Sequence, residues 1–182
     1  MKIYITRHGE TDWNRLHKVT GWSDVPLNET GLEQARELAS IITSRKDEMD
    51  IGHIYVSDLT RARQTASFTE KALGIEAVVD ARLREMNFGT MEGIDWDSEE
   101  FIFQKQQYFN RYEGGEDTIT LAHRLYTFLD EKIAELRDKD ENMLIVCHGT
   151  AARVLSTYFR DYLNEEYRKI RVKNCEILEY CI

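Results

Sequence analysis

A single proline, three cysteines and no long apolar run set the first limits on this chain of 182 residues. An odd cysteine count already argues against a closed disulfide framework. Cys147 ends the apolar run Met143-Leu144-Ile145-Val146-Cys147 and reads as a core thiol. Cys175 and Cys181 read as one strand, and six residues at about 3.3 Å each put them about 20 Å apart, beyond bridging distance. A reducing, cytoplasmic setting is therefore expected. Met1-Lys2-Ile3-Tyr4-Ile5 runs straight into polar residues, which does not read as a secretory leader. No stretch approaches the roughly 20 apolar residues that span a bilayer. Basic excess is missing too: 24 Lys and Arg face 33 Asp and Glu, a formal net charge of −9. Such a surface suits neither nucleic acid nor an acidic membrane, and no basic stripe is interleaved with aromatics. With no repeat, linker or low-complexity tract, residues 1–182 read as one domain large enough for its own core.

What is present alternates between two periodicities. Residues 2–6, 53–56, 76–79 and 142–147 read as short buried strands, with two more near 170–172 and 175–181. Between them, Leu32, Ala35, Leu38, Ala39 and Ile42 repeat at helical spacing. A second helix is predicted from a cap at Ser57 or Asp58 to Leu73, where Gly74 ends it. A third spans about 117–137, with Leu121, Leu125, Phe128, Leu129 and Ile133 on its stripe. Further helices are expected over 97–112 and 150–162. Strands alternating with helices imply an α/β fold on a mainly parallel sheet.

Ligands of open α/β sheets bind beyond the carboxyl ends of the strands. Arg7-His8-Gly9-Glu10-Thr11 follows the first strand, Ser57-Asp58-Leu59-Thr60-Arg61-Ala62-Arg63 the second, and His148-Gly149-Thr150 the strand at 142–147. Parallel strands would carry His8, Arg61 and His148 to one edge. Glycine after each histidine lets the backbone approach a ligand closely. Arginine forks onto phosphate oxygens, and Arg61 and His148 stand at helix starts, where free N–H groups favour anions. Cationic neighbours and the absence of a carboxylate or thiol pattern at metal spacing speak against a metal site. On spacing alone these residues indicate an anion site.

The motifs also resemble a family. Thr6-Arg7-His8-Gly9-Glu10-Thr11 with Trp13-Asn14, Gly21-Trp22-Ser23-Asp24-Val25-Pro26-Leu27, Ser57 through Ala66, Leu83-Arg84-Glu85-Met86-Asn87-Phe88-Gly89 with Glu92-Gly93, and Val146-Cys147-His148-Gly149 are similar, in order, to the histidine phosphatase superfamily, which includes the cofactor-dependent phosphoglycerate mutases. The resemblance implies a three-layer α/β/α sandwich. It implies His8 as nucleophile, Arg7, Arg61, His148 and Gly149 around the phosphate, Glu85 as acid and base, and Asn14, Thr20 and Gly21 lining phosphate and substrate. It implies no metal and no other cofactor. Arg63, His17, His53 and His123 read as surface or packing residues.

The expected partner is a small-molecule phosphomonoester, hydrolysed through a phosphohistidine. A mutase, which returns the phosphoryl group to substrate, is the alternative, and a catalytically silent phosphate-binding scaffold is the remote one. Mutases of this family carry extra basic residues after the block holding Glu85. Here residues 91–117 hold eight acidic side chains, only Lys105 and Arg111 as basic ones, and no adjacent arginine pair. This segment, rich in Phe101, Phe103, Tyr108, Phe109 and Tyr112, reads either as a helix packed on the core or as a lid. An acidic lid would disfavour polyanionic substrates. Which phosphate ester is taken, and whether the chain is a dimer, are not legible.

Overall fold

The computed structural model describes residues 1–139 and 141–182. The elements are, in order, β1 (Lys2–Arg7), α1 (Asp12–Arg15), α2 (Glu29–Ser44), α3 (Lys46–Met49), β2 (Ile51–Val56), α4 (Thr60–Leu73), β3 (Ala77–Val79), α5 (Glu99–Lys105), α6 (Thr118–Leu136), β4 (Asn142–Cys147), α7 (Gly149–Phe159), α8 (Asn164–Lys169) and β5 (Ile177–Cys181). The sheet order is β3-β2-β4-β1-β5. All neighbours are parallel except β5, which runs antiparallel on β1.

Alternate residues of each central strand point to opposite faces, and each face has its own core. Ile3, Ile5, Met143, Ile145 and Cys147 pack with Leu121, Leu125, Phe128 and Leu129 of α6 and with Ala151, Ala152 and Leu155 of α7. Tyr4, Ile54, Val56, Leu144 and Val146 pack with Leu38 and Ile42 of α2 and with Ala62 and Ala66 of α4. The result is a three-layer α/β/α sandwich. Because β1, β4 and β2 are adjacent and parallel, their carboxyl ends deliver residues 7–8, 147–148 and 57 side by side. No helix among the described residues is long and apolar enough to cross a membrane.

Several elements differ from their sequence expectation. The helix expected over 97–112 ends at Lys105. Beyond it the chain turns back so that Phe101 and Tyr112 both pack edge-on to Phe88, at ring centroids of 5.3 Å and 5.1 Å. Gly115 permits this return, since a side chain there would sit 2.3 Å from the Asn87 carbonyl oxygen. Neither Ser57 nor Asp58 caps α4. Asp58 is drawn into an ion pair with Arg84, and Asp24 takes over the end of the helix, accepting from the Thr60 N–H at 2.8 Å and hydroxyl at 2.7 Å. α7 stops at Phe159, short of 162. No strand forms at 170–172. A short helix, α8, precedes that segment, and the bridge between Asn174 and Arg7 follows it. Cys175 lies outside β5 with φ of +58°, and all three thiols are free.

Candidate active site

β1 places His8 one residue beyond the sheet, where it is 3 % exposed. Its N–H donates to the Cys147 carbonyl at 3.0 Å, and its own carbonyl accepts from Asn174 Nδ2 at 2.7 Å. The ring is held as tightly as the backbone. Nδ1 lies 2.6 Å from the Gly9 carbonyl oxygen. A carbonyl only accepts, so Nδ1 carries the proton and Nε2 keeps its lone pair. Nε2 in turn faces Arg61 Nε at 3.2 Å, a contact in which the guanidinium donates. Both contacts therefore demand the same tautomer. Burial first, then Arg61 and Arg7, hold the His8 pKa well below its ordinary value, so the ring is neutral.

Arg61 is fully buried in the first turn of α4. Its terminal nitrogens donate to the carbonyls of Gly21 at 2.6 Å and Ser23 at 2.9 Å. Burial pulls its pKa down to about 10, which leaves it charged at neutral pH. Arg7 donates from Nη1 to the Val172 carbonyl at 3.0 Å, while its buried Nε has no partner among the described residues. His148 sits fully buried behind His8, the two ring centroids 5.2 Å apart. Its Nε2 meets Ser57 Oγ at 2.8 Å and its Nδ1 is a second buried nitrogen without a partner. Burial, then Arg61 and His8, depress its pKa strongly. Unpaired buried nitrogens are costly, and an anion between His8, Arg7 and His148 would supply the missing acceptors.

Glu85 reaches the same place from the far side. Its carboxyl accepts from the N–H groups of Thr150 and Ala151, each at 3.0 Å, and of Met86 at 2.9 Å. The first two are free donors at the start of α7, so the helix terminus itself orients this side chain. Arg124 fixes the loop behind it, donating to the carbonyls of Arg82, Arg84 and Glu85 at 2.6–2.7 Å and pairing with Glu116. Glu92 acts similarly on the other wall, where its carboxylate accepts from the N–H groups of Trp22 and Ser23.

Arg7, His8, Asn14, Thr20, Gly21, Arg61, Glu85 and Gly149 all line one cleft of about 940 Å³. The structure thus brings the expected residues together, with His148 immediately beneath. Arg63 is exposed on the outer face of α4, His17 lies beside Trp96 with the rings tilted, and His53 pairs with Glu141. Sequence reasoning missed the supports: Arg124, Ser57 and Asn174 act only through contacts between distant segments. It also missed that the outer cleft is lined by Lys18, Lys105, Arg153, Arg168, Arg171 and Lys173. Three of the acidic residues of 91–117 are engaged elsewhere. Glu116 is spent on Arg124, Asp117 caps α6, Glu92 holds Trp22 and Ser23, and Asp97 is the one acid of that segment lining the cleft.

Residues 3–182 match the model of the histidine phosphatase superfamily, branch 1. The chain belongs to this superfamily. A curated relative from Yersinia pestis, named "Probable phosphoglycerate mutase GpmB", is 36 % identical over 185 residues, covering 97 % of this chain and 83 % of the relative. A mycobacterial glucosyl-3-phosphoglycerate phosphatase solved with VO3 superposes with a TM-score of 0.85 at 25 % identity, covering 98 % of this chain and 91 % of that one. The α-ribazole phosphatase from Shigella flexneri shares the fold, with a TM-score of 0.79 at 24 % identity over 98 % and 89 % of the two chains. The superfamily therefore accounts for the whole chain and its α/β/α architecture, while its relatives carry both phosphatase and mutase names.

Proposed function

We propose that this superfamily member is a phosphomonoester hydrolase working through a phosphohistidine on His8. The observation that carries the reading is the locked His8 ring, with a protonated Nδ1 on the Gly9 carbonyl and an Nε2 lone pair facing Arg61. A neutral imidazole with a fixed lone pair is what attack on phosphorus requires. Nε2 forms a bond to phosphorus as the ester P–O bond breaks. Glu85 gives its proton to the departing alkoxide. Arg7 and Arg61 spread over the equatorial oxygens, where charge must be held in the transition state. His148 joins them, its pKa raised by the incoming dianion. Water then attacks phosphorus, Glu85 takes its proton, the P–N bond breaks and inorganic phosphate leaves. The positive charge comes from the chain's own side chains, so the proposed reaction calls on no metal.

Residues 91–117 lack the adjacent arginines of mutases, and the vanadate-bound structural relative is a phosphatase; both favour hydrolysis. Mutase-type transfer is the second reading, favoured by the name of the relative at 36 % identity. The deciding experiment measures phosphate release from a panel of phosphomonoesters in EDTA, with isomerisation of 3-phosphoglycerate plus its bisphosphate primer followed in parallel. Release from several esters with negligible isomerisation is expected. Efficient isomerisation with little release would make the protein a mutase, and neither activity would leave the scaffold reading.

A further inference from the structure

The basic side chains of the outer cleft have no part in the reaction just described, and three of them share one region. Arg153 comes from α7, Lys105 ends α5, and Arg171 lies in the segment after α8. Among the described residues no carboxylate stands within ion-pair distance of any of them. Arg153 is only 8 % exposed. Its guanidinium lies over the Tyr167 ring at 4.6 Å, and its buried Nε has no hydrogen-bond partner. A buried cation without a counter-charge is costly to the fold, and that cost is relieved when a ligand brings the anion.

Lys105 and Arg171 are more open to solvent than Arg153. Desolvation, then the charges of Arg153 and Arg171, pull the Lys105 ammonium down to about 8 against the weaker opposing charges of Glu85 and Asp97. All three side chains line the same cleft. The position is also suitable. Arg153 follows Gly149 by four residues, so the two share a face of α7 about 6 Å apart along its axis. Gly149 lines the inner cleft beside Arg7 and His8, which sets the second cluster one short molecular body away from the phosphate.

We propose that Lys105, Arg153 and Arg171 form a second anion subsite, and that the substrate is a phosphomonoester carrying a further carboxylate or phosphate at the end of a short polar body. This rests on the inner cleft being the phosphoryl-transfer site. It reverses the expectation of an acidic lid that repels polyanions, because Asp97 is the one acid of 91–117 that lines the cleft and two of the three cations come from beyond residue 150. Only Lys105 lies in the segment where mutases of the family carry their extra basic residues, which is why sequence reasoning missed the subsite. Arg168 and Lys173, exposed at the rim, extend the positive field over an otherwise acidic protein.

Matched pairs test the proposal. 3-Phosphoglycerate against sn-glycerol 3-phosphate isolates a carboxylate; fructose 1,6-bisphosphate against fructose 6-phosphate isolates a second phosphate on a longer body. The readout is the ratio of kcat/KM within each pair, for wild type and for Lys105→Gln and Arg171→Gln. At least one pair is expected to favour the extra anion tenfold or more through KM, and each variant is expected to reduce that ratio at least threefold. The pair that responds tells carboxylate from phosphate. A wild-type ratio near one in both pairs, or a ratio untouched by both variants, would overturn the subsite. Calorimetric binding of the same four compounds to His8→Ala separates this from the reaction itself. Tighter binding of the extra-anion member, lost in His8→Ala/Lys105→Gln, upholds the subsite even if no ester is hydrolysed; equal affinities would remove it.

Discussion

Nε2 of His8 accepts from Nε of Arg61 at 3.2 Å, so the atom with the free lone pair and a fully buried cation lie in direct contact. An incoming phosphoryl group must come between them, exchanging a nitrogen acceptor for an oxygen anion. His8→Ala should remove all measurable turnover while the melting temperature stays close to wild type. Arg61→Lys keeps a charge but loses the fork and the bonds to Gly21 and Ser23, and should lower kcat roughly 10²–10³-fold, the range for deleting one transition-state donor. Steady-state kinetics at saturating ester checks both, and turnover in His8→Ala comparable to wild type would end the phosphohistidine proposal.

Glu85 is held by three backbone N–H groups, two of them from the start of α7. Glu85→Gln places an amide NH2 against at least one of those donors, a mismatch worth about 1–3 kcal/mol. The chemical consequence should depend on the leaving group. Alkyl phosphates are expected to lose on the order of 10²-fold in kcat, the range for general acid catalysis, and p-nitrophenyl phosphate less than about tenfold. Equal losses on both would show that Glu85 does not protonate the leaving oxygen.

His8 and His148 are both buried with pKa values well below the ordinary 6.5. The unfolded chain takes up these protons near pH 6.5 and the folded chain does not. Their contribution to stability is therefore present above pH 6.5 and is lost progressively as pH falls towards the folded values. Each group adds about 1.4 kcal/mol per pH unit to the slope across that window. Unfolding of wild type and His148→Gln in urea at pH 7, 6 and 5 should show the variant with a slope shallower by about that amount. Inorganic phosphate, which favours a protonated His148, should flatten the wild-type slope as well. Parallel slopes for the two proteins would contradict the burial of a neutral His148.

Arg124 binds three carbonyls on the Glu85 loop and the buried carboxylate of Glu116. Arg124→Met leaves that carboxylate without its partner, which costs about 3–5 kcal/mol and should lower the melting temperature by roughly 6–20 °C in a chain of this size. The double variant Arg124→Met/Glu116→Met removes both charges and should recover much of the loss. Scanning calorimetry of the two proteins checks this, and a double variant as unstable as the single one would show that the carbonyl bonds, rather than the ion pair, hold the loop.

What was legible in the sequence follows the distance over which each feature is determined. β1, β2, β4, α4 and α6 appear within a few residues of their expected bounds because each buries a periodic stripe of its own. His8, Arg61 and His148 were found because they stand within a few residues of strand ends, so the sheet alone places them. α8 was not found: all but Tyr167 of its six residues are polar, no stripe marks it, and its one aromatic packs against Tyr108 from a distant segment. Asp24 at the end of α4, Arg124 behind Glu85 and Arg153 in the outer cleft were hidden for the same reason. Each acts through a partner far away in the chain, and no local pattern announces such a pairing.

The strand that ends in Arg7 and leads into His8 lies between β4 and β5, two of the last elements to be synthesised. The same two residues are held by Val172, Asn174 and Cys175: Val172 accepts from the Arg7 guanidinium, Asn174 donates to the His8 carbonyl, and the Cys175 N–H donates to that of Arg7. A chain emerging from a ribosome would thus expose its first strand, unpaired on both edges, until some 140 further residues had followed. The placing of Arg7 and His8 is therefore complete only once the segment holding Val172, Asn174 and Cys175 has docked on it. The geometry around His8 is in this sense a long-range property, assembled from segments about 165 residues apart in the chain.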